Sequence, residues 1–211
     1  MSWVKKVDHI AYVCAPGMIE KWAWYHTVVE GGKMITRIDD TDPSNPDSSM
    51  KIWCIDFGTF GIALVEGIDR NKKSQVTAFV EKHGDHSVQH VAYDTKDLEG
   101  FINHLQKYNV YPRGEIYTRN DGFGMLKQVF CKGYDKLDPA EMCFPEYVER
   151  PKKNEDPADA NITFSQDAGK TFYRQIEEAR EKDDRSTFID FSVMPNDWRP
   201  PIDDGTKAAN A

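Results

Sequence analysis

The sequence predicts an α+β fold of two tandem βαβββ modules followed by a C-terminal helix. Three observations carry this. The hexapeptide VDHIAY (Val7 to Tyr12) returns 81 residues later as VQHVAY (Val88 to Tyr93). A stretch with helical spacing of apolar residues follows each copy, and three strand-like runs follow each helix. A period of this length is too long for a solenoid unit and suits a duplicated module.

The elements follow in order. VDHIAY alternates, with Val7, His9 and Ala11 on one side of a strand and Asp8, Ile10 and Tyr12 on the other. In MIEKWAWYHTVVEGG, the residues Ile19, Trp22, Ala23, His26 and Val29 recur at helical spacing, and Gly31-Gly32 end the segment. The runs KMITRID, MKIWCIDFG and GIALVEG complete the first module, residues 5–70. SQVTAFVEKHG reads as a short linking helix. The second module, residues 85–150, opens on VQHVAY and continues into KDLEGFINHLQKYN. There Thr95 is the expected N-cap, and Leu98, Phe101, Ile102, Leu105 and Tyr108 form the stripe. The runs YPRGEIYTR, MLKQVFCKG and AEMCFPEYVE follow, separated by turn formers such as Asp121-Gly122 and Asp138-Pro139. Residues 151–211 read as a polar linker, PKKNEDPADAN, then a helix with Phe172, Ile176 and Ala179 on one face. From Pro195 the tail is irregular.

Composition excludes several function classes. Of 211 residues, 39% are apolar and 29% charged, as in a globular chain. The net charge is −8 with no Lys/Arg cluster, so no nucleic-acid partner is expected. No apolar run approaches the roughly 20 residues of a membrane helix, and MSWVKKVDHI has no signal-peptide core. The expectation is a cytoplasmic protein with no membrane partner. Cys14, Cys54, Cys131 and Cys143 lie far apart without CxxC spacing, which points to free thiols rather than a zinc ribbon or disulfide framework.

His9 and His90 occupy the same place in two copies of one strand, and each module's last strand carries a carboxylate among apolar neighbours, Glu66 and Glu146. A buried unpaired carboxylate is costly. A divalent metal removes that cost, and two imidazoles with one carboxylate form a three-ligand site with open positions. His26, His83, His86 and His104 have no such counterpart and read as ordinary core or surface histidines. Gln128 and Phe130 stand two apart on one strand face, and an inward amide there needs a partner. Each ligating imidazole also needs an outer partner for its second nitrogen.

Together VDHIAYVC, NKKSQVTAFVEKHG, VQHVAYDTKDLEGFINHL, DGFGMLKQVFCKG, FPEYVER and AGKTFYRQIEE resemble the vicinal oxygen chelate superfamily. They are most similar to the catalytic half of the 4-hydroxyphenylpyruvate dioxygenases, over residues 5–182. The resemblance implies that the modules curl a mixed sheet around one metal. It implies His9, His90 and Glu146 as ligands of Fe(II), or of another divalent metal, with Gln128 as a catalytic and substrate-binding residue. Phe130 and Phe172 would line the substrate, a 2-oxo acid or related small organic acid oxidised by dioxygen. The sequence departs from the family where a substrate-binding serine falls at Met50 and an amide at Val65. One alternative is a glyoxalase-type isomerase or epimerase with Glu66 as fourth ligand; the competing account puts Glu66 in a turn just past its strand. Ring-cleaving dioxygenases share the three-ligand set, and a small-molecule binding protein of the same fold is a further alternative. Both modules lie in one chain, so a monomer can complete the site, and a homodimer is compatible with it.

Overall fold

A computed structural model describes residues 2–120, 125–151 and 166–186. Eight strands form one mixed sheet: β1 (Val4–Cys14), β2 (Lys33–Ile38), β3 (Ser48–Asp56), β4 (Gly61–Asp69), β5 (Ser87–Thr95), β6 (Tyr117–Asn120), β7 (Met125–Phe130) and β8 (Phe144–Glu149). Their order is β2-β3-β4-β1-β5-β8-β7-β6. Two four-stranded halves therefore meet at β1 and β5, the strands that carry the repeated hexapeptide. β1 and β5 pair antiparallel, whereas β1 with β4 and β5 with β8 pair parallel. The arrangement is two-fold: β4, β3 and β2 answer to β8, β7 and β6.

Alternation along each strand sorts side chains onto two faces. One face carries Ala11, Val13, Met50, Ile52, Ala63, Val65, Phe130 and Phe144. Helix α2 (Gln75–His83) packs onto it through Val76 and Phe79, and α4 (Gln166–Glu181) through Tyr173 and Ile176. Each fully buried apolar side chain of this kind contributes roughly 1.5–3 kcal/mol. Ser48 and Tyr173 are hydrogen-bonded, tying α4 to β3. The opposite face is covered by α1 (Ile19–Trp24), on Trp53, Ile62 and Leu64, and by α3 (Leu98–Gln106), on Val129 and Tyr147. The candidate ligands thus lie on the face that α2 and α4 cover.

Three local expectations are corrected. Val29, expected in an apolar stripe, is 56% exposed. The chain after α1 winds as a π-helical turn over Tyr25–Val29, with Glu30 N–H donating to Tyr25 O. That wider turn keeps His26 inside and rotates Val28 and Val29 out. Gly31, at φ +79°, then ends the turn in the left-handed region that glycine tolerates. Thr95 does not cap α3. It closes β5 and donates to Val148 O, while the Asp97 carboxylate accepts from Gly100 N–H and caps the helix. Finally, the fourth-ligand reading of Glu66 fails on register, as described below. All four cysteines are free thiols, three of them buried. No helix among the described residues is long and apolar enough to cross a membrane. The turn at Asp121-Gly122, the linker PKKNEDPADAN, the tail from Pro195 and the Phe172 side chain lie outside the described residues.

Candidate metal centre

The register brings His9, His90 and Glu146 together. His9 on β1 pairs with Ala92 on β5, and Ala92 pairs with Glu146 on β8, so the three stand in one row across the sheet. His90 pairs with Ala11, one row over. Each alanine of the repeated HxA thus sits opposite the other copy's histidine. Side chains opposite one another on paired strands lie about 4.5–5.5 Å apart at Cβ. Alanine there leaves room above the sheet for the imidazoles to converge.

They do converge. Glu146 Oε2 lies 3.3 Å from His9 Nε2 and 3.4 Å from His90 Nε2. The imidazole rings meet edge to face, with centroids 5.6 Å apart, and one ligand atom from each residue lies within 4.8 Å of the others. All three side chains are buried. Phe144 stacks on His90 at 5.0 Å and Phe130 meets it edge-on at 6.1 Å, forming an apolar wall.

The donors suit a divalent ion. His9 Nδ1–H donates to Asp8 Oδ2 at 2.8 Å, and Asp8 is held by two hydrogen bonds from Arg150, at 2.8 and 2.7 Å. His90 Nδ1–H donates to Gln89 Oε1 at 3.3 Å, and Gln89 in turn donates to Gln75 Oε1 at 3.4 Å. These bonds engage both Nδ1 atoms, so a metal held here would meet the two Nε2 atoms. Glu146 Oε1 is buried without a hydrogen-bond partner.

Burial and mutual attraction act against one another in this cluster. Burial alone would lower the His9 pKa, but Asp8 and Glu146 outweigh it and raise it to about 9. Burial lowers His90. Burial would raise Glu146, but the two imidazoles pull it down to about 2. The two shifts favour the His9–Glu146 pair as imidazolium and carboxylate.

Sequence reasoning passed over Asp8, Gln89 and Arg150. The signal was present, since Asp8 and Gln89 each immediately precede a histidine in the two hexapeptides. Gln128 is 2% exposed with Nε2 unpartnered, on the same face as Glu146. Phe130 lies beside Glu146 in register. Met50 and Val65, the two departures from the resembled family, are both buried on this face.

Glu66 is not brought to the site. His9 pairs with Gly61 on β4, so Glu66 lies five residues along and, by alternation, on the opposite face. There it accepts from Ile19 N–H at 3.0 Å, at the start of α1, and pairs with Lys51 at 2.6 Å. Its true counterpart is Glu149. His90 pairs with Phe144, Glu149 is again five residues along, and it accepts from Leu98 N–H at 2.8 Å, at the start of α3. By the same count, Glu146 corresponds to Ala63.

Two βαβββ modules that meet at β1 and β5 in one mixed sheet have the vicinal oxygen chelate fold. No family model and no curated protein matches the chain. Among solved structures, a triply substituted 4-hydroxymandelate synthase from Streptomyces coelicolor is similar, with a TM-score of 0.61, 17% identity, and coverage of 80% of this chain and 54% of that one. The chain thus spans about half the length of that enzyme. Methylmalonyl-CoA epimerase from Mycobacterium tuberculosis has a TM-score of 0.48 at 18% identity, covering 72% and 92% of the two chains. A hypothetical protein from Bacillus halodurans C-125 has a TM-score of 0.49 at 19% identity, covering 72% and 98%. The first of these likenesses carries the fold assignment.

Proposed function

We propose that this chain is an Fe(II)-dependent dioxygenase acting on a 2-oxo acid or a related small organic acid, with His9, His90 and Glu146 as the metal ligands. The carrying observation is the three-ligand set itself. The position two-fold related to Glu146 is Ala63, so the symmetric fourth carboxylate that an isomerase or epimerase site would use is absent there, and among the described residues the candidate cluster is His9, His90 and Glu146 alone. Bound Fe(II) would supply open positions and electrons for the reaction of a chelating substrate with dioxygen.

The protein's own groups do the rest. Asp8, locked by Arg150, and Gln89 orient the two imidazoles. Phe130 and Phe144 keep water from the metal-facing side. Gln128 Nε2 is a buried donor that a substrate oxygen would satisfy. Helix α4 lies across the same face through Tyr173 and Ile176, and the family resemblance assigns Phe172 to the substrate.

The test is iron titration followed by oxygen uptake with a panel of 2-oxo acids. Binding of one Fe(II) per chain and oxygen uptake coupled to substrate loss are expected. Turnover without oxygen loss would refute the dioxygenase and leave a metal-dependent isomerase. Absence of metal uptake would leave a binding protein.

A further inference from the structure

The row of residues that holds the candidate ligands continues beyond them. Glu146 pairs with Phe130 on β7. Past β7, Pro112 bridges to Cys131, and Arg113 N–H donates to Phe130 O at 2.9 Å. Arg113 therefore stands opposite Phe130 and on its face, in the same cross-strand row as Glu146, Ala92 and His9. Two strand spacings separate Arg113 from Glu146, about 10 Å along the sheet. The next residue, Gly114, packs closely against the side chain of Gln175 on α4. Arg113 is thus placed on this face at the edge along which α4 runs.

All three nitrogens of its guanidinium are shielded from solvent, and none has a hydrogen-bond partner. Burial lowers its pKa, and the carboxylate that partly offsets this, Asp184, acts only at a distance. Asp184 instead lies 3.9 Å from Lys132. A sequestered guanidinium with no anion is costly to keep. Arg presents a planar fork that fits two carboxylate oxygens at once.

We propose that Arg113 binds a second carboxylate at the end of the substrate remote from the metal, so that the substrate is a dicarboxylic 2-oxo acid. This rests on the proposed function, in which His9, His90 and Glu146 hold the metal. It also fits the apolar residues Met50 and Val65 at the two places where the chain departs from the family it resembles. Selectivity would then be set by charge at the end of the substrate remote from the metal.

The test is calorimetric titration of the full chain, loaded with Fe(II) under anaerobic conditions, with 2-oxoadipate and with its monoacid analogue 2-oxohexanoate. The diacid is expected to bind about 10–100-fold tighter, the range of a charge-assisted hydrogen-bond pair. In Arg113→Leu the two acids should bind alike, with the monoacid unchanged. Equal affinities in the parent protein would overturn the proposal. Metal-free Arg113→Leu and Arg113→Met should melt at or above the parent temperature, since each removes an unpartnered buried charge. A lower melting temperature in both would make Arg113 a brace of the fold and also overturn the proposal. Iron uptake, measured first, separates this outcome from failure of the metal site itself, because Arg113 is not a ligand.

Discussion

Replacing Glu66 and Glu146 in turn by glutamine separates a metal ligand from a helix cap. Glu66→Gln keeps an oxygen that can accept from Ile19 N–H, but turns an amide toward Lys51, now 2.6 Å from a carboxylate oxygen. Lys51 is partly exposed, at 31%, so water screens the loss. The pair and the perturbed cap together cost about 1–2 kcal/mol. For a chain of this size that lowers the melting temperature by about 2–8 °C. Fe(II) affinity should be unchanged, because Glu66 lies on the other face of the sheet from His9. Glu146→Gln should reverse the pattern. It removes the anionic ligand, and Fe(II) affinity should fall by more than the roughly 10–100-fold that an outer partner costs. The assays are metal titration and thermal melting of both variants. Comparable loss of Fe(II) affinity in Glu66→Gln and Glu146→Gln would refute the register argument and restore a four-ligand site.

Two further outcomes follow from the same geometry. The His9 pKa of about 9 means that metal must displace a proton, so the Kd for Fe(II) should tighten about tenfold per pH unit from pH 7 toward 9. Calorimetry in buffers of different ionisation enthalpy should find close to one proton released near pH 7, and less in Asp8→Asn. Since His9 is raised from 6.5, its contribution to stability is complete below pH 6.5 and is lost as pH rises through about 9. Glu146, lowered from 4.5 to about 2, contributes above pH 4.5 and loses that as pH falls through about 2. The metal-free melting temperature should therefore decline between pH 6.5 and 9; a flat profile would show that His9 is not the protonated partner. Separately, Ala92→Leu should abolish metal binding by filling the row between His9 and Glu146, at an overpacking cost of about 1–3 kcal/mol. Retained affinity in Ala92→Leu would disprove its spacer role.

Much of this was legible in the sequence, and the misses have a common cause. Alternation marked the strand faces, and duplication marked His9 and His90, because both signals are local or nearly so. Pairing Glu66 with Glu146 looked equally natural, since each follows its histidine by 56 or 57 residues and sits among apolar neighbours. What decides the matter is register, which is set where β4 lies against β1 and β8 against β5. A one-residue slip exchanges the two faces of a strand, and no composition signal records it. The exposed Val29 is a similar case, since a π-helical turn changes phase without changing residue type. Arg113 carried no signal at all. It stands within the run YPRGEIYTR, of which only Tyr117–Asn120 forms β6, and its burial without a hydrogen-bond partner is what distinguishes it.

The duplication also explains the site through its departures from symmetry. Glu66 and Glu149 remain equivalent, each holding the first turn of its module's helix, so the framework of both halves is conserved. The metal-facing positions are not equivalent. Glu146 answers to Ala63, Phe144 to Gly61, and Gln89 to Asp8. Two neutral imidazoles and one carboxylate leave a bound dication with a net charge of about +1, whereas a second carboxylate at the Ala63 position would cancel it. The residual charge attracts an anionic chelator. The small residues Gly61 and Ala63 leave room for one on the first module's side, while Phe144 and Phe130 wall the second. With alanine rather than a second carboxylate at the position equivalent to Glu146, a bound dication would keep a net positive charge, which is the feature that supports the proposed acid substrate over a proton-shuttling centre.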